Sequence, residues 1–467
     1  MAGSRNEVCA GGGGREVVWR RVSGPASIVG LRLAVARRPG GFVLESGGPD
    51  GGYSYFGYEP QRVVEVPAGV DPWPVLGELW GTGGGGPEAV AARPAPFAGG
   101  WVGFIAYESG GFVEPTAAAA DRWLTPAARF GLYPAVIVFD PAAGAWSVAG
   151  SAARGERAAL EARLDELERT LRGCGAGEAA QAAVGPAPRV TCDLPRAAYM
   201  AGVERILEYI RAGDVYQVNL ARRLVAHGAF DARALFQRLA ETNPAAYSAY
   251  LSCGAELSVV SSSPELFLEV SRDDAGWRCE SRPIKGTRRR SGDVAADGRA
   301  AAELAASEKD DAELAMIVDL VRNDLGRVCA YGSVQVEDAG SIEWLPTVIQ
   351  RVATVSGRLR AGAGAWALLR AAFPGGSVTG APKVRAMQII NELERSARGV
   401  YCGAVGYVAL DGRACLNLAI RTLMVTPRAA LVSVGAGIVA DSDPAAEYDE
   451  TRAKAAALLR ALGADEP

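Results

Sequence analysis

Apolar and polar positions follow two rhythms along this chain. Up to about residue 172 the apolar residues come in short runs, Ile28–Val35, Gly41–Leu44, Trp101–Ala106 and Ala135–Phe139, with the length and make-up of buried strands. One predicted helix interrupts them, where Leu160, Leu164, Leu167 and Leu171 form a narrow stripe among charges. From about residue 191 the three-and-four spacing is frequent. Val203, Ile206, Leu207 and Ile210 predict a helix stopped by Gly213, and Ala386, Ile389, Ile390 and Leu393 predict another. Pro444–Leu462 predicts a third, with Asp443 as N-cap, Pro444 in the first turn and Gly463 just past the end. Strands are predicted between them at Leu266–Val270, Tyr401–Leu410, Leu416–Val425 and Ala430–Val439. Strands and helices mixed without a regular βαβ rhythm predict an α+β fold built on antiparallel sheets. Two stretches poor in large apolar residues predict loops: Gly81–Gly86, running on to about Pro96, and about Gly173 to Pro188. The expected organisation is a disordered tail over residues 1–15, an N-terminal segment over 16–172, a linker over 173–190 and a main domain over 191–464.

Composition narrows the function. A net charge of −4 over 467 residues lacks the basic footprint of a nucleic-acid binder. No window holds 18–20 uninterrupted apolar residues, so no membrane span is expected, and Met1 to Arg15 has no apolar core of the signal-peptide kind. Eight scattered cysteines without a CxxC pair fit reduced thiols and a cytoplasmic location. The single histidine, His227, leaves little room for chemistry built on imidazole.

Several positions carry candidate chemistry, each with an ordinary structural alternative. Glu447, Glu450 and Lys454 share one face of the last helix, and Asp310 and Glu313 share a face of a helix starting near Asp310. Carboxylates on two helices suit a hard cation such as magnesium, although acidic pairs on helices are usually solvated faces. Ser377 to Lys383 leads into a helix at Pro382 and offers backbone amides to an anion, or is simply a helix start. Arg421 is expected in mid-strand, facing either water or a substrate carboxylate. Lys285, in Arg282-Pro-Ile-Lys-Gly-Thr287, has little acidic company nearby in sequence. If desolvated it offers a neutral amine nucleophile; otherwise it is a surface lysine.

Taken together, the motifs resemble the chorismate-utilising enzymes, and within them the aminodeoxychorismate synthase component I branch. They are Gly213-Asp-Val-Tyr-Gln-Val-Asn-Leu220, Ser261-Ser-Ser-Pro-Glu265, Pro283-Ile-Lys-Gly-Thr287, Ile317-Val-Asp-Leu-Val-Arg-Asn-Asp324, Phe373-Pro-Gly-Gly-Ser-Val-Thr-Gly-Ala-Pro-Lys383, Tyr401-Cys-Gly403 and Gly435-Ala-Gly-Ile-Val-Ala-Asp441. Leu44-Glu-Ser46 and Phe97-Ala-Gly-Gly-Trp-Val-Gly103 resemble that family's first segment. The resemblance implies large antiparallel sheets with flanking helices around one composite chorismate-binding core. It also implies Mg2+ on Glu313 and Glu450, with Glu447 close by. Arg421 and Tyr401 match positions that grip the enolpyruvyl carboxylate, and Gln217, Thr287, Thr379, Gly380, Gly435 and Lys454 match other substrate-binding positions. Glu265 matches the acid that protonates the leaving hydroxyl at C4.

Gln217 stands where relatives that add water carry a lysine base, and a carboxamide does not activate water, so amination is implied. Lys285 stands where ortho-aminating relatives carry alanine. An amine that adds first beside the ring carboxylate directs nitrogen to the para position, giving 4-amino-4-deoxychorismate for a downstream lyase. The ammonia is expected from a separate glutamine amidotransferase subunit. Three alternatives stay open: anthranilate synthase component I, an aminating subunit of an antibiotic pathway, and a catalytically inactive scaffold that binds the amidotransferase. Gln350 stands where many relatives carry a histidine, and the resemblance leaves room for a tryptophan-like pocket at Ser46 and Tyr247 without implying inhibition.

Overall fold

The computed structural model describes residues 6–10, 15–22, 27–47, 52–80, 95–115, 125–153, 155–175 and 187–466. These residues form two antiparallel sheets of thirteen and ten strands, which face each other. The pleat sorts the apolar residues between layers. In the larger sheet Val17, Phe42, Leu44, Val136 and Val138 point inward and meet Val102, Phe104, Val405 and Tyr407 of the smaller sheet. Their neighbours Val18, Val43, Ala135 and Ile137 point outward, under helices Ile28–Ala36, Arg157–Gly173, Ala232–Thr242 and Pro444–Leu462. Helices Trp73–Trp80, Glu308–Gly326 and Ala365–Ala372 cover the outer face of the smaller sheet. The result is a helix–sheet–sheet–helix stack, the α+β architecture on antiparallel sheets expected from the sequence.

The N-terminal segment and the main domain share both sheets. In the larger sheet Phe42–Glu45 pairs with Tyr247–Ser252, and in the smaller one Gly100–Ile105 pairs with Ala404–Ala409. The two segments therefore build one composite core. Asn6–Ala10, inside the expected tail, runs as a strand against Arg15–Val22. Gly81–Gly86 lies outside the described residues, as do residues 176–186 of the second expected loop.

The last helix forms as its end signals predict: Asp443 accepts from the Ala446 amide at 2.9 Å, and Gly463 takes a φ of 67°. In Arg157–Gly173 the four predicted leucines are all buried, each contributing about 1.5–3 kcal/mol. Ile28–Val35 is a correction, because it forms a helix rather than a strand. An eight-residue apolar run fits either state, and here Ser27 caps the Gly30 amide at 3.2 Å while Leu31, Leu33 and Val35 are buried. The predicted strand Leu416–Val425 is two strands, Ala414–Leu418 and Thr422–Val425, in different sheets. The strand predicted from Tyr401 begins at Ala404. No helix among the described residues is long and apolar enough to cross a membrane.

Candidate active site

The site forms where the chain changes sheets. Ser258–Ser263 of the larger sheet leads into Leu266–Asp273 of the smaller one through Pro264 and Glu265. Beside it, Ala414–Leu418 leaves the smaller sheet and returns to the larger one as Thr422–Val425, through Ala419–Arg421. The two crossings are tied together. Leu418 N–H donates to the Glu265 carbonyl at 3.0 Å, Ser262 N–H to the Arg421 carbonyl at 3.1 Å, and Ser263 Oγ to the Leu418 carbonyl at 2.6 Å.

Arg421 is therefore at a sheet-to-sheet crossing and not in mid-strand. Its φ is +49°, a conformation that costs a non-glycine residue of order 1–3 kcal/mol and that clusters at functional sites. Its guanidinium makes no hydrogen bond or ion pair with any described residue. Burial holds it below the usual arginine range, opposed by the charge of Glu265. A desolvated, unpartnered guanidinium is suited to an incoming carboxylate.

Glu265 is 5% exposed and accepts from Ser377 Oγ at 2.6 Å. Burial pushes its carboxyl up from 4.5 to about 7, against the pull of Ser377, Lys285, the Ile284 amide and Arg421. A carboxyl in this state keeps its proton near neutrality and is able to donate it.

Lys285 arrives on the edge strand Ile284–Arg289 of the smaller sheet. The next residue, Gly286, has a φ of +81°, and a Cβ there would lie 2.6 Å from Leu304 Cδ1 and 2.9 Å from Asp310 Cγ. A bare glycine thus lets helix Glu308–Gly326 close on the strand, and Arg288 fastens it to Asp310 at 3.2 Å. The approach brings Lys285 Nζ within 3.6 Å of Glu313 Oε2, with both side chains largely buried. The acidic company missing near Lys285 in sequence is supplied by tertiary structure.

Gln217 opens the strand Gln217–His227 of the larger sheet. It meets Lys285 over Gly437, where a Cβ would lie 2.3 Å from Gln217 Nε2 and 3.3 Å from Lys285 Nζ. Gln217 is fully buried, and neither its Oε1 nor its Nε2 has a hydrogen-bond partner among the described residues. Leaving such groups unpaired costs about 1–3 kcal/mol each, so the amide reads as a group awaiting a ligand.

Glu447 and Glu450 come from helix Pro444–Leu462 and Glu313 from helix Glu308–Gly326. Burial holds the Glu447 carboxyl above its usual range; Glu450 and Glu313 add to this, while Ser442 and Lys309 oppose it. Lys309 Nζ lies 3.7 Å from Glu447 and 3.9 Å from Glu313. Burial also disfavours the Glu450 anion, but Lys454, with Lys285 and Lys309, holds that carboxyl below its usual range. No three Asp, Glu, His or Cys side chains among the described residues close a metal site by themselves. Magnesium asks for only one or two carboxylates, the remaining oxygens coming from water and an anionic ligand. The hard donors and their mutual repulsion fit such an ion.

Lys454 Nζ donates to the Gly435 carbonyl at 3.0 Å and pairs with Glu450 at 2.7 Å, so these three candidates form one wall. Gly380 pairs with Val218 in a short strand, and a Cβ on it would lie 2.1 Å from the Gln217 carbonyl. The backbone before Pro382, expected to offer free amides, pairs at Gly380–Ala381 with Gln217–Val218, and here the Thr379 and Ala381 carbonyls accept from the Asn219 and Tyr216 amides. The Thr379 hydroxyl, fully buried, donates to the carbonyls of Gly375 at 2.9 Å and Gly376 at 3.3 Å, so it shapes the loop. Tyr401 is buried in a turn whose next residue, Cys402, donates to the Ala419 carbonyl at 2.9 Å, beside the Arg421 crossing. Thr287 is exposed on the edge strand. His227 lies at an exposed strand end, 2.9 Å from Thr191 Oγ1.

A family model described as chorismate binding enzyme matches residues 84–460. The chain belongs to the chorismate-binding enzyme family. It is 40% identical over 439 residues to anthranilate synthase component 1 of Streptomyces coelicolor, covering 90% of this chain and 83% of that one. It is 39% identical over 369 residues to aminodeoxychorismate synthase component 1 of Klebsiella aerogenes, covering 79% of this chain and 78% of that one. The crystal structure of anthranilate synthase component I from Streptococcus pneumoniae superposes with a TM-score of 0.76 at 31% identity, over 87% of this chain and 92% of that chain.

A second feature of this chorismate-binding chain is a cavity of about 340 Å³ between the sheets, lined by Ser46, Tyr247, Ser248, Gln350 and Asn417. Pro264 and Ile284, the neighbours of Glu265 and Lys285, also line it. Gln350 therefore faces this cavity. Three contributors were not singled out from sequence. Ser377 lay inside a quoted motif without a role. Lys309 has no local mark. Arg398 holds three site segments at once, donating to Glu394 at 2.6 and 3.0 Å, to the Val378 carbonyl at 2.8 Å and to the Asn219 carbonyl at 2.9 Å.

Proposed function

We propose that this chain aminates chorismate at C4 with ammonia from a glutamine amidotransferase subunit, releasing 4-amino-4-deoxychorismate to a downstream lyase. The observation that carries this reading is the largely buried Lys285 amine, facing Glu313 and Gln217 in the same site as the Glu265 acid. Relatives named for the ortho and the para products are about equally similar, so overall identity does not choose between them. A lysine at this one position favours the para product.

Lys285, after its ammonium has given one proton to solvent, bonds to C2 while the ring double bond shifts and the C4–O bond breaks. Glu265 gives its proton to the departing oxygen, which leaves as water. Ammonia then bonds to C4, the double bond shifts back, and the electron pair of the C2–N bond returns to Lys285. The new C4 nitrogen loses its proton to the Glu265 carboxylate, which resets the acid. Gln217 hydrogen-bonds substrate or ammonia without acting as a base. Arg421 pairs with the enolpyruvyl carboxylate beside Tyr401. Glu313 and Glu450 would hold magnesium, with Glu447 close by, and the ion would supply positive charge against the ring carboxylate. The cavity lined by Ser46 and Tyr247 is assigned to a tryptophan-like amino acid.

The test is to incubate the chain with chorismate, magnesium chloride and ammonium chloride, then add an aminodeoxychorismate lyase. Formation of 4-aminobenzoate supports the reading, and anthranilate formed without the lyase overturns it.

A further inference from the structure

Ser377 stands in the short turn Gly376–Val378, which is braced in two ways. Thr379 Oγ1 donates to the carbonyls of Gly375 and Gly376 at 2.9 and 3.3 Å. A Cβ on Gly376 would lie 3.2 Å from Leu320, so the turn rests directly on helix Glu308–Gly326. From this support Ser377 Oγ reaches Glu265 Oε1 at 2.6 Å. Behind the pair lies a void of about 20 Å³, walled in part by Glu265, Ser281, Ser377 and Asp324. That is room for about one water. The Ser281 hydroxyl has no protein partner among the described residues, and Asp324 is paired with Lys383 at 2.7 Å.

We propose that Ser377 is a positioning residue that selects which oxygen of Glu265 carries the acid proton. An oxygen that accepts from the serine hydroxyl is the carbonyl-like one, so in the neutral acid the proton sits on Oε2. The hydrogen bond also fixes the plane of the carboxyl group, which otherwise turns about a soft torsion. The groups facing this carboxyl are Lys285 and Arg421, the Ile284 amide, Ser377, and Asp324 across the void. Ser377 pulls the Glu265 carboxyl downward, so its loss moves the titration to higher pH. The inference rests on Glu265 being the acid.

The experiment measures kcat and KM from pH 5.5 to 9 for the full chain with chorismate, magnesium and ammonium. The variants are Ser377→Ala, Ser377→Thr, Ser377→Cys and Glu265→Gln. Ser377→Ala is expected to lower kcat about tenfold with KM nearly unchanged, and to move the alkaline fall in kcat up by about half to one pH unit. Ser377→Thr, which keeps the hydroxyl, restores both. If Ser377→Ala does not fold, Ser377→Cys, with its weak donor, must move the fall in the same direction. An unmoved fall in whichever of these two variants folds overturns the inference, as does a change confined to KM. Glu265→Gln separates the two layers. An active Glu265→Gln removes the acid reading itself, whereas an inactive one beside an unmoved Ser377→Ala profile removes only the role of Ser377.

Discussion

Glu265→Gln should do two opposite things at once. The Glu265 carboxyl is raised from 4.5 to about 7, burial being the largest cause. Between those values the folded chain holds a proton that the unfolded chain has released. Stability therefore falls as pH rises through this window, and the loss is complete above about 7. A displacement of this size corresponds to about 3 kcal/mol. Glutamine keeps the shape and has no charge to bury, so the variant should gain on wild type by up to about 3 kcal/mol between pH 5 and pH 8, less what a rearranged Ser377 contact removes. Glu108 is raised to about 7 as well, chiefly by burial, and titrates in both proteins, so the difference between them isolates Glu265. The same substitution removes the transferable proton and should lower kcat about 10²- to 10⁴-fold. Urea denaturation of both proteins at pH 5 and pH 8, with turnover measured in parallel, checks both halves. An equal stability difference at the two pH values would refute the burial argument, and retained turnover would refute the acid role.

Other outcomes follow from the same geometry. Lys309, itself half exposed, lies 3.9 Å from Glu313 and 3.7 Å from Glu447, where it would compete with the proposed magnesium. Lys309→Met should lower the magnesium concentration for half-maximal activity by about two- to threefold, a modest effect because water screens the pair; a rise would contradict it. Arg398 and Glu394 form a buried ion pair, so Arg398→Ala should cost about 3–5 kcal/mol in denaturant unfolding, and a loss below 1 kcal/mol would show that Arg398 does not hold the site segments. Tryptophan at millimolar concentration should raise Tm through the cavity lined by Ser46 and Tyr247, and Tyr247→Ala should abolish the rise. A rise that survives Tyr247→Ala places the ligand elsewhere.

What was legible in the sequence was what local chemistry marks. Helix Pro444–Leu462 carries its own N-cap and left-handed stop, and the leucine stripe of Arg157–Gly173 has a single way to be buried. Ile28–Ala36 was not legible, because an unbroken apolar run has no period and the deciding contacts come from Ser27 and the neighbouring layers. The change of sheet at Ala419–Arg421 left no trace, since both flanking stretches are strand-forming and only their partners differ. Nor does local pattern join Lys285 to Glu313 or Gln217 to Gly437, which are brought together by sheet edges and a closing helix. Lys285 and Glu313 were marked by their local patterns, and their meeting with Gln217 in one site was implied only through the resemblance of whole motifs. Ser377, Lys309 and Arg398 act through contacts that exist only in the folded chain.

The most direct measurement is the isomer formed by Lys285→Ala beside wild type, resolved by chromatography from chorismate, magnesium and ¹⁵N-ammonium. The account predicts nitrogen at C4 for wild type, and for the variant either no amination or nitrogen at C2. Nitrogen still entering at C4 without the lysine amine would contradict it.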